Sequence, residues 1–426
     1  MFSLRKDSSV RDIIVGIISA ALVCFLGNQT FGQESVNSLT LAELEQTALL
    51  NNPAIQAYEQ KINALKGYWT QAGLGPNPEI GYVGEEMSSA NPGGRQGFEL
   101  SQEILGGNQL YHAQQVVCQQ IATAQQELEI SKTRVLTDVR VAAYEYLAIQ
   151  NKLFHLREIL KNDQQMSASL ETSYKNGNAS RLDYVNSRIA ARKSEQQLCA
   201  AQNELDAAWD RLVCLIGQPQ LEPQILKADL NQTAEQKSWE SYAHNLILSS
   251  PEVVRAEAKV AEAQKKVNYE NSKNSQNFTV SGAVMYNTEE HVIEGSVGVS
   301  MPLRIRDRNQ GNISAACSEV IQAQKDLERV KLNIQHRLAD VYREYATACE
   351  DLAMYRESLL PEAAEALELA KKAYENQETS MLDLISAQKT YRETNIEYYD
   401  ALCKYWTSLT LLEGKLLDGS LEDSSL

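Results

Sequence analysis

Residues 311–359 read GNISAACSEVIQAQKDLERVKLNIQHRLADVYREYATACEDLAMYRESL, and their apolar spacing decides the architecture. Apolar side chains fall at Ile313, Ala316, Val320, Ala323, Leu327, Val330, Ile334, Leu338, Val341, Tyr345, Ala348, Leu352, Tyr355 and Leu359. Thirteen steps cover 46 residues, about 3.5 residues per step. That is the period of a supercoiled helix, not of a straight globular one. The pattern predicts a helix over 308–374, on the order of 100 Å long at a rise of ~1.5 Å per residue. A single helix of that length has no stability in water without partners along its seam.

The same seam stands 199 residues earlier, at Val117, Ile121, Ala124, Leu128, Val135, Val139, Ala142, Tyr146, Ile149, Leu153, Leu156 and Leu160, and predicts a second long helix over 108–174. Both copies share a stutter, at Val135→Val139 and Ile334→Leu338, where the supercoil is expected to unwind. Other matches lie at nearly one offset. Asn52-Pro53 pairs with Ser250-Pro251, Leu100–Ile104 with Val299–Leu303, Ser180-Arg181-Leu182-Asp183 with Ser380-Met381-Leu382-Asp383, and Trp209 and Gly217 with Trp406 and Gly414. The chain therefore divides into repeat 34–217, a Pro-bearing linker 218–238, repeat 239–417 and a tail 418–426. Shorter helical stretches, 40–73 and 181–216, then 239–273 and 381–415, complete the copies.

Between the helices of each copy lie two segments of period two, over 78–86 and 96–104, then 278–287 and 292–301. In the second copy Phe278, Val280, Gly282, Val284 and Tyr286, then Ile293, Gly295, Val297, Val299 and Met301, alternate with small or polar residues. In the first, Ile80 and Tyr82, then Phe98 and Leu100, do the same. Each run has the ~9–11 residues that cross an outer membrane as a tilted strand. Two soluble hairpins packed on the helices would need cover for these apolar faces, and the helices spend their seams on each other. Four strands have open edges, which lipid cannot satisfy, so several protomers must pool strands.

Arg5, Lys6 and Arg11 precede an apolar run, Ile13–Leu26, with small residues near Gly32, so residues 1–33 read as a cleaved signal peptide. Val23 does not suit a lipid-acceptor box, and lipidation at Cys24 is not expected. The remaining six cysteines form no C-x-x-C pair and the five histidines show no ligand spacing; neither a metal nor a cofactor is expected. With a net charge of −16 the surface disfavours nucleic acid and favours cations or basic partners.

Two hairpins spliced into two long-helix repeats resemble the TolC family of outer-membrane efflux ducts, from about Leu39 to Gly414. Asn77-Pro78-Glu79, Glu103–Gly107 and Pro302-Leu303-Arg304-Ile305-Arg306-Asp307-Arg308-Asn309-Gln310-Gly311 are similar to the cobalt–zinc–cadmium efflux branch, whose motif usually reads Pro-Leu-Pro-hydrophobic-Phe-Asp-Arg-Asn-Gln-Gly. Arg304 and Arg306 depart from it. The resemblance implies a mainly α fold with a small β part. In a homotrimer, coiled helices would form an α-helical barrel and twelve strands a shared β-barrel in outer-membrane lipid, with a large periplasmic extension. It also implies a periplasmic adaptor, an inner-membrane RND pump and no catalytic step.

The helix-to-helix turns, 174–183 and 374–383, hold the site candidates. Gly177 suits a helix end, Ser180 and Ser380 suit N-caps, and Asp183 and Asp383 fall in first turns favoured by the helix dipole. That alone would explain these residues. By resemblance, Asp183, Asp383 and Tyr374 match the family's periplasmic gate. Thr379 stands where an arginine partner is usual, so the contact would be either missing or supplied otherwise, Arg181 being the candidate. Asn176, Gly177, Asn178, Ser180, Gln377, Thr379 and Ser380 would dock the adaptor. Glu85, Glu86, Glu289 and Glu290 would form either a cation-attracting rim or plain solvated loop charge. No nucleophile elbow, zinc-helix motif or phosphate loop suggests an enzyme. A duct for drugs or secreted proteins, and a coiled-coil scaffold, are the remaining readings.

Overall fold

The computed structural model describes residues 38–87, 93–228, 230, 238–376 and 378–422; the signal-peptide segment with Cys24, and Gln377, lie outside them. The order is β1 Ser38–Leu39, α1 Leu41–Asn51, α2 Pro53–Ala72, β2 Glu79–Glu85, β3 Arg95–Ile104, α3 Gln109–Lys175, α4 Arg181–Leu215 and β4 Ile225–Leu226. The second half follows as α5 Trp239–Ser249, α6 Pro251–Ser272, β5 Phe278–Asn287, β6 Val292–Ser300, α7 Gln310–Met354, a π-turn Tyr355–Leu359, α8 Leu360–Glu375 and α9 Met381–Glu413.

Three expectations are corrected. The stretches 40–73 and 239–273 are each two helices, broken at Asn52-Pro53 and Ser250-Pro251. Proline disfavours helical geometry in the residue before it, and both prolines open the next helix instead. Asn52 also caps that helix, its Oδ1 accepting from Ala54 N at 2.9 Å. The third correction is in the second long helix, which the π-turn interrupts just before Pro361. The repeat offset is 199 along the seam but 200 from Tyr174 to Tyr374. The second copy therefore holds one extra residue, and a π-turn is the geometry that takes one in.

The seam packs as its spacing requires. Val135, Val139, Tyr146, Ile334, Leu338, Tyr345 and Leu352 are buried in one core with Trp209, Leu212, Tyr405 and Leu409. The linker is docked on this core: Leu226 and Leu230 are buried, and β4 pairs in parallel with β1. The pseudo-equivalent tryptophans hold it, Trp209 Nε1 donating to Leu221 O at 3.0 Å and Trp406 Nε1 to Leu230 O at 2.9 Å. Gly414 closes α9 so near α3 that a Cβ would stand 2.1 Å from Thr137 Oγ1.

Farther down, charge is buried. Ser194 Oγ of α4 donates to Asp163 Oδ2 of α3 at 2.5 Å, and Arg392 Nη1 of α9 donates to Ser194 Oγ at 2.9 Å and lies 3.6 Å from Asp163. All three residues are buried. Burial pushes the Asp163 carboxyl above its usual range, and the Ser194 bond and Arg392 charge only partly offset it.

The sheet has the order β2-β3-β5-β6, antiparallel throughout. Its register lines up Ile80, Leu100, Gly282 and Val297 in one row and Tyr82, Phe98, Val284 and Gly295 in the next. The four apolar faces thus form one surface, and its large side chains are exposed, Val297 at 85%.

Replacing Arg392 with Leu leaves Asp163 buried without its cation and is expected to cost about 3–5 kcal/mol. Because the Asp163 pKa is raised on folding, its contribution is full below the unfolded carboxylate range and falls as pH rises through the folded value. Thermal melts of the detergent-solubilised protein should show the Arg392→Leu loss shrinking toward acid pH, and partial recovery on adding Asp163→Asn.

Candidate functional site

The two tips lie side by side at the end away from the sheet. Leu170, Met381 and Leu384 form a small buried cluster with Ala179, Leu367 and Tyr374 around it. The first turn ends α3 with a Schellman pair, Asn178 N donating to Ser173 O at 2.8 Å and Gly177 N to Tyr174 O at 3.0 Å. Gly177 takes the left-handed φ of 79° that this motif asks of the residue after the cap. At the second tip Glu378 N returns to Ala373 O at 2.8 Å.

Each tip then starts a helix from a serine cap. Asp183 N donates to Ser180 Oγ at 3.1 Å, and Ser180 Oγ to Asp183 Oδ2 at 2.8 Å. At the second tip three donors converge on Asp383 Oδ2: Ser380 N at 3.1 Å, Ser380 Oγ at 2.6 Å and Thr379 Oγ1 at 2.7 Å. The Ser380 and Thr379 hydrogen bonds hold the exposed Asp383 carboxyl below its usual range. Thr379 thus bonds the aspartate within its own chain.

Tyr374 is half-buried, and burial, with the nearby Asp183 charge, pushes its phenol up. Tyr374 packs in the same small cluster as Ala179 of the other turn. Tyr174 stacks on Tyr184, centroids 5.7 Å apart, and the Arg188 guanidinium sits 5.6 Å over that Tyr184 ring. Arg181 is exposed and has no ion-pair partner among the described residues, whereas its repeat counterpart Met381 is buried. Asn176, Gly177, Asn178, Ser180 and Ser380 are exposed, and Thr379 is half-buried. Leu182 and Leu382, which the sequence reading passed over, are exposed at 67% and 64% just after the two caps. A leucine two residues after an N-cap, twice at one offset, was the available signal.

The sheet's other face is polar. Register places Glu79, Ser101, Ser281 and Gly298 in one row, Gly81, Glu99, Ala283 and Ser296 in the next, and Val83, Gly97, Met285 and Glu294 beyond. Arg95 bridges Glu294 at 3.2 Å and Glu86 at 3.3 Å. Glu289 and Glu290 donate their amides to Asn287 Oδ1, as a turn requires. Among the described residues no helix is long and apolar enough to cross a membrane, and no three acidic, His or Cys side chains gather as a metal site.

At every level the chain leaves two open sides. The sheet ends in β2 and β6. The helices nearer the sheet pack in the order α2-α3-α6-α7, and those nearer the tips in the order α4-α3-α9-α8.

This architecture, paired repeats of long helices with a hairpin in each, is that of an outer-membrane efflux channel. The family model described as outer membrane efflux protein matches residues 44–218 and 243–414, and the chain belongs to that family and to the outer membrane. It is similar to the cobalt-zinc-cadmium resistance protein CzcC of Cupriavidus metallidurans, 23% identical over 391 residues, covering 90% of this chain and 91% of that protein. Among solved structures it resembles CusC, with a TM-score of 0.73 at 16% identity over 92% of this chain and 96% of that one. The outer membrane protein VceC of Vibrio cholerae gives a TM-score of 0.71 at 18% identity, over 89% and 96% of the two chains.

Loss of the cap in Ser380→Ala is expected to cost about 1 kcal/mol, roughly fivefold faster amide exchange over residues 381–385. Acid should fray the same turn. The Asp383 pKa is depressed, so its support is present above the ordinary aspartate range and is lost only as pH falls through the folded value.

Proposed function

We propose that three copies of this chain close into one duct, the outer-membrane channel of a tripartite RND-type efflux system, and that it passes divalent heavy-metal cations outward. The observation that carries the reading is the pair of open sides. β2, α2 and α4 stand unpartnered on one side, and β6, α7 and α8 on the other. An edge strand with an apolar face cannot rest in lipid unpaired. Identical copies joined head to tail satisfy all three levels at once, and twelve strands make a closed barrel.

In that barrel the apolar face meets lipid and the polar face lines the lumen. Glu79, Glu99 and Glu103 then recur threefold along the bore, a field that attracts cations, while Glu294 is paired with Arg95. The CzcC likeness supports metal cargo. At the other end Asp183 and Asp383, with Tyr374, would ring the closed entrance. Arg181, exposed and without an ion-pair partner among the described residues, would meet a neighbouring copy. The exposed turn residues Asn176, Gly177, Asn178, Ser180, Thr379 and Ser380, with Leu182 and Leu382, would receive a periplasmic adaptor, and the inner-membrane pump would supply the energy.

In planar bilayers, Asp183→Ala with Asp383→Ala should raise the closed-state conductance and weaken block by divalent cations ~10-fold or more. Unchanged conductance and block would remove these residues from the gate. A strain lacking the protein should lose resistance to zinc, cobalt or cadmium; a change in drug tolerance alone would redirect the cargo, and a soluble periplasmic monomer would restore the scaffold reading.

A further inference from the structure

The connector from β6 to α7 carries something the fold does not require. Both strand-to-helix passages end on an asparagine in the left-handed region, Asn108 with φ 55° and Asn309 with φ 60°. The first passage, from Ile104 to Asn108, needs only Leu105, Gly106 and Gly107. The second runs from Met301 to Arg308, five residues longer, and adds Arg304, Arg306 and Arg308. The repeat is its own control: geometry asks for three residues and no charge.

Two observations say what these residues meet. First, the lipid-facing stripe does not stop with the strand. Val297, Val299, Met301, Leu303 and Ile305 continue at every second residue, and Leu303 and Ile305 are each 72% exposed. Second, none of the three arginines has an ion-pair partner among the described residues. Arg304 Nη1 donates to the backbone carbonyl of Lys273; of the nearby acids, Asp307 is engaged by Asn309 N at 2.9 Å, and Glu270 by Lys273 Nζ at 2.8 Å and Asn309 Nδ2 at 2.8 Å. Lys273, Arg304 and Arg306 line one concave pocket with Leu303, Ile305, Asn309 and the single carboxylate Asp307. Three arginines without an ion-pair partner among the described residues, beside a lysine already paired with Glu270 and interleaved with apolar side chains at the foot of the membrane-facing sheet, match an interfacial layer of phosphate above acyl chains.

We propose that residues 301–308 with Lys273 form a binding site for the anionic headgroup of phospholipid in the periplasm-facing leaflet, phosphatidylglycerol being the chemistry that fits. This rests on the outer-membrane duct reading above. The arginines hold the phosphate, Leu303 and Ile305 enter the acyl layer, and the site fixes the depth at which the barrel passes into the helices.

The test uses full-length protein in detergent, titrated with phosphatidylglycerol or phosphatidylcholine and read by native mass spectrometry. The unmodified protein should prefer phosphatidylglycerol. Each arginine-to-glutamine change should weaken that binding about fivefold, ~100-fold for Arg304→Gln, Arg306→Gln and Arg308→Gln together, and added salt should mimic the loss. The triple lysine variant should keep the preference. Equal binding of both lipids by the unmodified protein, or an undiminished preference in the glutamine variant, would overturn the site. So would a glutamine variant whose only defect is loss of the heat-sensitive oligomer on gels, since the arginines would then hold a neighbouring copy. Failure of the unmodified protein to fractionate with the outer membrane strikes the duct reading instead.

Discussion

Unsatisfied backbone at the rim of the sheet governs the molecule. A sheet of four strands with one apolar face has nowhere to rest alone: water rejects the face and lipid rejects the edges. The helices inherit the same problem, because α2 and α7, then α4 and α8, stand at the outside of their layers. One operation, repetition of the chain around an axis, answers both. The large core draws on both halves of the chain, with the linker pinned to it by two indole N–H groups.

The two repeats share local rules and differ where their surroundings differ. Ser180 and Ser380 cap alike, and Asp183 and Asp383 turn back on those caps alike. One position later in each cap the copies part: Arg181 faces outward at a layer edge, while Met381 is enclosed beside Leu170. Duplication supplied equivalent parts, and the edge or interior place of each helix set what its exposed residues could become.

Much of this was legible in the chain. The 3.5-residue seam marked the long helices because each apolar side chain needed a neighbour at that period, and alternation marked the strands because one face is apolar. Local chemistry gave the caps. What escaped was whatever depends on distant partners. β4 is two residues long, too short to alternate, and Leu226 is buried only because helices from both halves close over it. Arg392 looks like any surface charge on a helix until Asp163 and Ser194 arrive from two other helices. The breaks at Pro53 and Pro251 were written in the sequence, but the helical pattern on either side concealed them.

The π-turn beside Pro361 sets a phase. An extra residue in an unbroken α-helix would rotate everything beyond it by about 100°, and the wider π-turn takes that rotation up. The segment from Pro361 onward therefore keeps the phase of the first copy, and Tyr374 arrives where Tyr174 does although the offset has grown from 199 to 200. The halves of this chain stay in step despite unequal lengths, the mismatch being absorbed in one turn and never passed along to the tip.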